Sequence, residues 1–153
     1  MNHTSPNTVR RHQRDVRVIF TLTVVSLCLE NVRKHTARFD SKMNPAVSQC
    51  LQQIEEIFAQ YPDNDPMQKV YRNRVNDRRI KFTKQVSQLS MESGLIGALR
   101  VLTTRFRTKP GTRIAFICDQ FRENLPAIEK AFLKNEREVK EFEYKFWFAI
   151  RRV

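Results

Sequence analysis

Between Val9 and Met43 the chain has neither glycine nor proline, and Val18, Leu22, Val25, Leu29, Val32, Thr36 and Phe39 recur in alternating steps of four and three. That interval is the seam of a helix that packs against other helices. Ile19, Val24, Leu27 and Cys28 widen the seam, so the middle of this helix is apolar on most sides and belongs at the centre of a bundle. β-Branched residues pull the segment toward strand. No turn signal interrupts it, however, and no second segment of similar strength could pair with it.

The remaining punctuation also favours helices. Asn44-Pro45 is a cap followed by a first-turn proline, and Val47, Leu51, Ile54, Phe58 and Tyr61 line one face of the helix it opens. Asp65-Pro66 opens another in the same way. Gly94–Arg107 reads as a helix, with Gly94 a C′ residue for the helix before it, and Ser90, Gly94 and Ala98 are small residues at spacing four that permit a close crossing. Lys109-Pro110-Gly111-Thr112 has the form of a type II turn, with Thr112 capping a helix from Arg113 to Asn124. Pro126 then begins a long last helix on which Leu125, Ile128, Phe132, Asn135, Val139, Phe142, Phe146, Ala149 and Val153 keep a three–four alternation. Asn135 is the lone polar member, a position that sets register or partner in coiled coils. The pairs Glu136/Lys140 and Glu141/Lys145 have the favourable i, i+4 order. The expectation is an all-α, single-domain bundle of five or six helices over residues 9–153, behind a flexible N-terminus at 1–8. The long first and last helices are paired and the helix from Pro66 lies across them.

Charge is where the chain departs from an ordinary bundle. The formal net charge is +12, and residues 66–90 hold Lys69, Arg72, Arg74, Arg78, Arg79, Lys81 and Lys84 against Asp77 alone. On a helical projection Tyr71, Val75, Phe82, Val86 and Leu89 form a narrow stripe and the cations cover the rest. A solvated face ordinarily mixes signs, as the last helix does. Unmixed positive charge is suited to a polyanion, an anionic membrane or an acidic protein. Arg100, Arg105, Arg107, Lys109 and Arg113 form a second basic group around the turn.

The reading that follows is non-catalytic binding of nucleic acid, DNA or RNA, with little sequence specificity. Lys69, Arg72, Arg74, Arg78, Arg79, Lys81 and Lys84 contact phosphates, helped by Arg105, Arg107 and Lys109. A helix-turn-helix is disfavoured by the long connection and by Asp119 and Glu123 on the presumed reading helix. Gly94-Leu95-Ile96-Gly97 matches a KH loop only in its glycines. The aromatic tail Phe142, Tyr144, Phe146, Trp147 and Phe148 covers every side of two helical turns. It offers either a deep core end or an interface for an acidic protein partner or a second copy through the C-terminal helix. Base stacking beside Arg151 and Arg152 is a further use of it.

No Gly-rich phosphate loop and no nucleophile–base spacing points to catalysis; a nuclease- or integrase-like activity is the enzymatic alternative. His3, His12 and His35 lack ligand spacing, so neither a metal nor a cofactor is expected. Cys28, Cys50 and Cys118 form no CxxC and read as buried free thiols of a reducing, cytoplasmic compartment. Val18–Leu29 is a charge-free run of 12 residues behind a basic stretch. It has no small-residue cleavage site after it and falls short of the ~20 residues of a membrane span, so it reads as a core helix; a signal or membrane-anchor segment and a buried strand are the alternatives, and a membrane-surface protein held by this helix is a third functional reading.

Overall fold

The structure is a computed structural model that describes residues 17–30, 32, 45–60, 77–106 and 110–152. Among these residues are six helices and no strand, an all-α bundle as the sequence leads one to expect. Helix α1 covers residues 17–30, α2 Pro45–Gln60, α3 residues 77–85, α4 Met91–Thr104, α5 Arg113–Phe132 and α6 Glu136–Ile150. The N-terminal segment 1–8, Thr36, Phe39, Tyr71 and Val75 lie outside the described residues.

One apolar cluster joins side chains from all six helices. The α1 seam is buried at Val18, Leu22, Val25, Leu29 and Val32, and Phe20 and Thr21, off the seam, are fully buried as well. Thr21 tolerates this because its hydroxyl donates to the Arg17 carbonyl at 2.8 Å. The first and last helices meet through Phe20 and Phe146, whose ring centroids are 5.6 Å apart. The start of α1 faces the end of α6, where Arg17 donates to the Arg151 carbonyl at 3.4 Å. Helix α3 lays Phe82 across this pair, against Phe142 at 5.3 Å and Phe146 at 5.0 Å. The Phe20–Phe146 and Phe82–Phe142 pairs are edge-on, an arrangement that adds about 0.5–1.5 kcal/mol each beyond the area buried, while Phe82–Phe146 is tilted.

Helix α4 is as central as α1. Residues Ser93 through Leu99 are all buried, between α5 on one side and α6 on another. Its small residues allow this: Phe142 of α6 lies directly over Gly94 and Gly97. Gly94 is therefore a close-approach position inside α4 and not the C′ residue expected of it. The preceding helix ends at residue 85, a turn follows, and Ser90 caps α4 by accepting from the Ser93 N–H.

Two other boundaries differ from expectation. Gly111 has φ +83° and Thr112 caps α5 through the Ala115 N–H, as the turn motif requires. The helix it opens does not stop at Asn124 but continues through Pro126 to Phe132. Pro126 is exposed, so the Arg122 carbonyl it leaves unbonded can be hydrated. On either side of it Phe121 and Ile128 are fully buried, each worth about 1.5–3 kcal/mol, which offsets a proline cost of ~3 kcal/mol. The chain breaks instead at Leu133–Asn135, where Asn135 is extended and its side chain accepts from the Glu138 N–H. Asn135 is thus the N-cap of α6 and is exposed, not a register residue in a continuous seam. Below the cap the buried positions are Val139, Phe142, Phe146 and Ile150, the drift expected of a straight helix with 3.6 residues per turn.

Candidate nucleic-acid interface

The basic residues of α3 divide into two kinds. Lys81 and Lys84 are exposed on its outer side, while Arg78 and Arg79 are half-buried to either side of Phe82. The Arg79 stem lines a groove of about 100 Å³ with Val24, Cys28, Phe82 and Phe142. This is how a long cationic side chain covers apolar surface while its head stays near water. Among the described residues none of these four cations forms an ion pair. Lys69, Arg72 and Arg74 lie outside the described residues, as do Arg107 and Lys109.

Arg100 leaves the second basic group altogether. Its guanidinium donates to both carboxylate oxygens of Glu136, at 2.7 and 3.0 Å, to Glu129 at 3.0 Å and to Glu143 at 3.3 Å. One residue of α4 thereby ties α5 and α6 to itself. The hydrogen bonds from Arg100 hold the Glu136 carboxyl below the usual carboxylate range, and those from Glu136 raise the guanidinium still further. Arg122, central on α5, is also engaged: it donates to Asp119 at 2.5 Å and to the Thr103 carbonyl at 2.8 Å. That leaves α5 poorly furnished as a groove-reading helix.

These contacts change the charge on the surface of α6. By composition α6 mixes signs, but its acids are not spread evenly around it. Glu136 and Glu143 face Arg100, and Glu138 turns to accept the Ser90 N–H ahead of α4. Glu141 pairs with Lys145 at 3.0 Å, as its spacing predicts. The Glu136/Lys140 pair does not close, because Glu136 is held by Arg100. The outward side of α6 is left with Arg137, Lys140, Arg151 and Arg152 around Tyr144 and Phe148, all exposed.

The aromatic tail is divided in the same way. Phe142 and Phe146 are buried among Phe20 and Phe82, so neither can meet a partner, contrary to their inclusion in an interface. Trp147 is half-buried, edge-on to Phe106 at 6.5 Å, with the exposed Arg105 guanidinium 5.6 Å from its ring. Tyr144 is 75% exposed and Phe148 48%, with Arg152 4.3 Å from the Phe148 ring. Sequence periodicity signals this division, since Phe142 and Phe146 continue the buried stripe and Tyr144 and Phe148 stand opposite it. It gives no signal for the Arg100 contacts, which join residues 29 to 43 positions apart.

Burial pushes the Cys28 thiol up to about 12 and the Cys118 thiol up to about 11, so both are inert as nucleophiles near neutral pH. Among the described residues no three histidine, cysteine or acidic side chains are grouped to hold a metal, and no helix is long and apolar enough to cross a membrane. No family model matches the chain, and no curated protein or solved structure matches it either.

Proposed function

We propose that the protein binds nucleic acid without catalysis, through the phosphate backbone and with little sequence specificity. The observation that carries this reading is the sorting of charge. Carboxylates of α5 and α6 are drawn onto Arg100 and the start of α4, while Lys81, Lys84, Arg78 and Arg79 have no acidic partner. Cations left in this state carry condensable charge toward a polyanion and release its counterions on binding. Arg105, exposed beside Trp147, and Lys69, Arg72, Arg74, Arg107 and Lys109 belong to the reading by their sequence position.

Binding of the full chain to duplex DNA, single-stranded DNA and RNA across a salt series tests it. The expected result is measurable affinity at low salt and a linear fall of log affinity with log salt. Affinity that ignores salt, or none at low salt, contradicts it. Docking on an acidic protein is the second reading, favoured by the exposure of Tyr144 and Phe148. It requires a complex that survives nuclease treatment and is lost on Trp147→Ala.

A further inference from the structure

We infer that the outward face of α6 is a stacking ledge for the bases of single-stranded nucleic acid; this rests on the nucleic-acid reading above and names the strand form it takes. Tyr144 and Phe148 stand four residues apart on one side of the helix, about 6 Å from each other along its axis, and Arg152 follows in the turn after its end with its guanidinium against the Phe148 ring. Tyr144 and Phe148 are two of the four large apolar or aromatic side chains that are exposed among the described residues. Cations lie at both ends of the row: Arg137 and Lys140 precede the rings, and Arg151 and Arg152 follow them. The acid on that side, Glu141, is neutralised by Lys145.

Two adjacent rings flanked at both ends by cations match a strand that lays its base faces on the rings and its phosphates against the charges on either side. A protein interface concentrates its aromatic residues in a core depleted of charge, which is the opposite arrangement. A duplex buries its base faces within the stack, so it could use the cations of this ledge but not the rings. The Arg152 guanidinium 4.3 Å from the Phe148 ring adds a second planar group against which a base can lie. Stacking of this kind tolerates any base, in keeping with low sequence specificity.

The test uses the full chain with Tyr144→Ala and Phe148→Ala, singly and together, against labelled oligothymidylate and against the duplex it forms with oligodeoxyadenylate. Both side chains are exposed, so the variants are expected to keep the wild-type melting temperature. Each ring removed should weaken binding to the single strand roughly ten-fold, leave duplex affinity within about two-fold, and leave the salt slope unaltered because no charge is lost. Tyr144→Phe, which keeps the ring, should bind as wild type. Unchanged single-strand affinity in the double variant, or equal losses on single strand and duplex, overturns the ledge while leaving the backbone-binding reading intact. A wild-type chain that binds polyglutamate or anionic vesicles but neither oligonucleotide overturns both.

Discussion

Arg100 and Glu136 meet through two parallel hydrogen bonds, Nη1 to Oε1 at 2.7 Å and Nη2 to Oε2 at 3.0 Å, joining the middle of α4 to the first turn of α6. The same guanidinium also reaches Glu129 and Glu143. Because the Arg100 side chain is only 19% exposed, removing its charge leaves three carboxylates crowded together without a counter-charge. Arg100→Met should lower unfolding stability by about 2 kcal/mol or more, read as a fall in the urea midpoint with an unchanged slope. A pH dependence accompanies it. The folded pKa of Glu136 is depressed, so its contribution is complete above the ordinary glutamate value of about 4.3 and is lost as pH falls through the folded value. The wild type should therefore lose stability on acidification more steeply than Arg100→Met; parallel curves would show that the pair does not contribute.

Gly97 exchanges local helix stability for tertiary packing. A Cβ there would stand 2.7 Å from Phe142 Cδ1 and 3.3 Å from Phe142 Cβ. The second distance prevents the ring from simply turning away. Alanine gains about 1 kcal/mol in helix propensity but overpacks a closed site at a cost of about 1–3 kcal/mol. Gly97→Ala should thus be neutral to destabilising in thermal unfolding. A raised melting temperature would mean that α4 and α6 approach less closely.

Asn135 separates two readings of the C-terminal region. As the cap that accepts from the Glu138 N–H at 3.1 Å, it should be replaceable by aspartate at little cost and by alanine at about 1 kcal/mol. Sedimentation should show the same oligomeric state for both variants. A change of oligomeric state in Asn135→Ala would restore the register role that the three–four pattern implies.

Thiol titration reports on the core without any substitution. Cys50 is half-buried on α2, whereas Cys28 and Cys118 are buried thiols with pKa values pushed up to about 12 and about 11. At mildly alkaline pH one thiol per chain should react quickly, and the other two only after denaturant is added. Three fast thiols would contradict the packing around α1 and α5.

How far the fold could be read in advance depended on the range of the interactions. The α1 seam from Val18 to Val32, the face of α2 from Val47 to Ile54 and the Pro110-Gly111-Thr112 turn are set by residues within a few positions of one another, and each stands where periodicity and capping place it; Thr36, Phe39 and Tyr61 lie outside the described residues. The end of α5 lies beyond Asn124 because the strong local stop signal of Asn124 and Pro126 is overridden by the burial of Phe121 and Ile128. Half of the candidate site was legible for the same reason. Lys81 and Lys84 are exposed as a one-stripe helix demands, but Arg100 looked like part of a basic patch. The acids that claim it come from two later helices, and the positive exterior of α6 follows from that tertiary arrangement alone.

Lys81 and Lys84 offer the cleanest test of the proposed phosphate-binding role of α3. Both are exposed, whereas Arg78 and Arg79 are half-buried and Arg79 lines the groove beside Phe82. The decisive comparison is the salt dependence of oligonucleotide binding by the wild type and by a Lys81→Ala/Lys84→Ala chain of equal melting temperature. Loss of two phosphate contacts should reduce the slope of log affinity against log salt by between about one and two units, with weaker binding to every sequence. A slope and affinity equal to the wild type's would place the contact elsewhere and contradict the role given to α3.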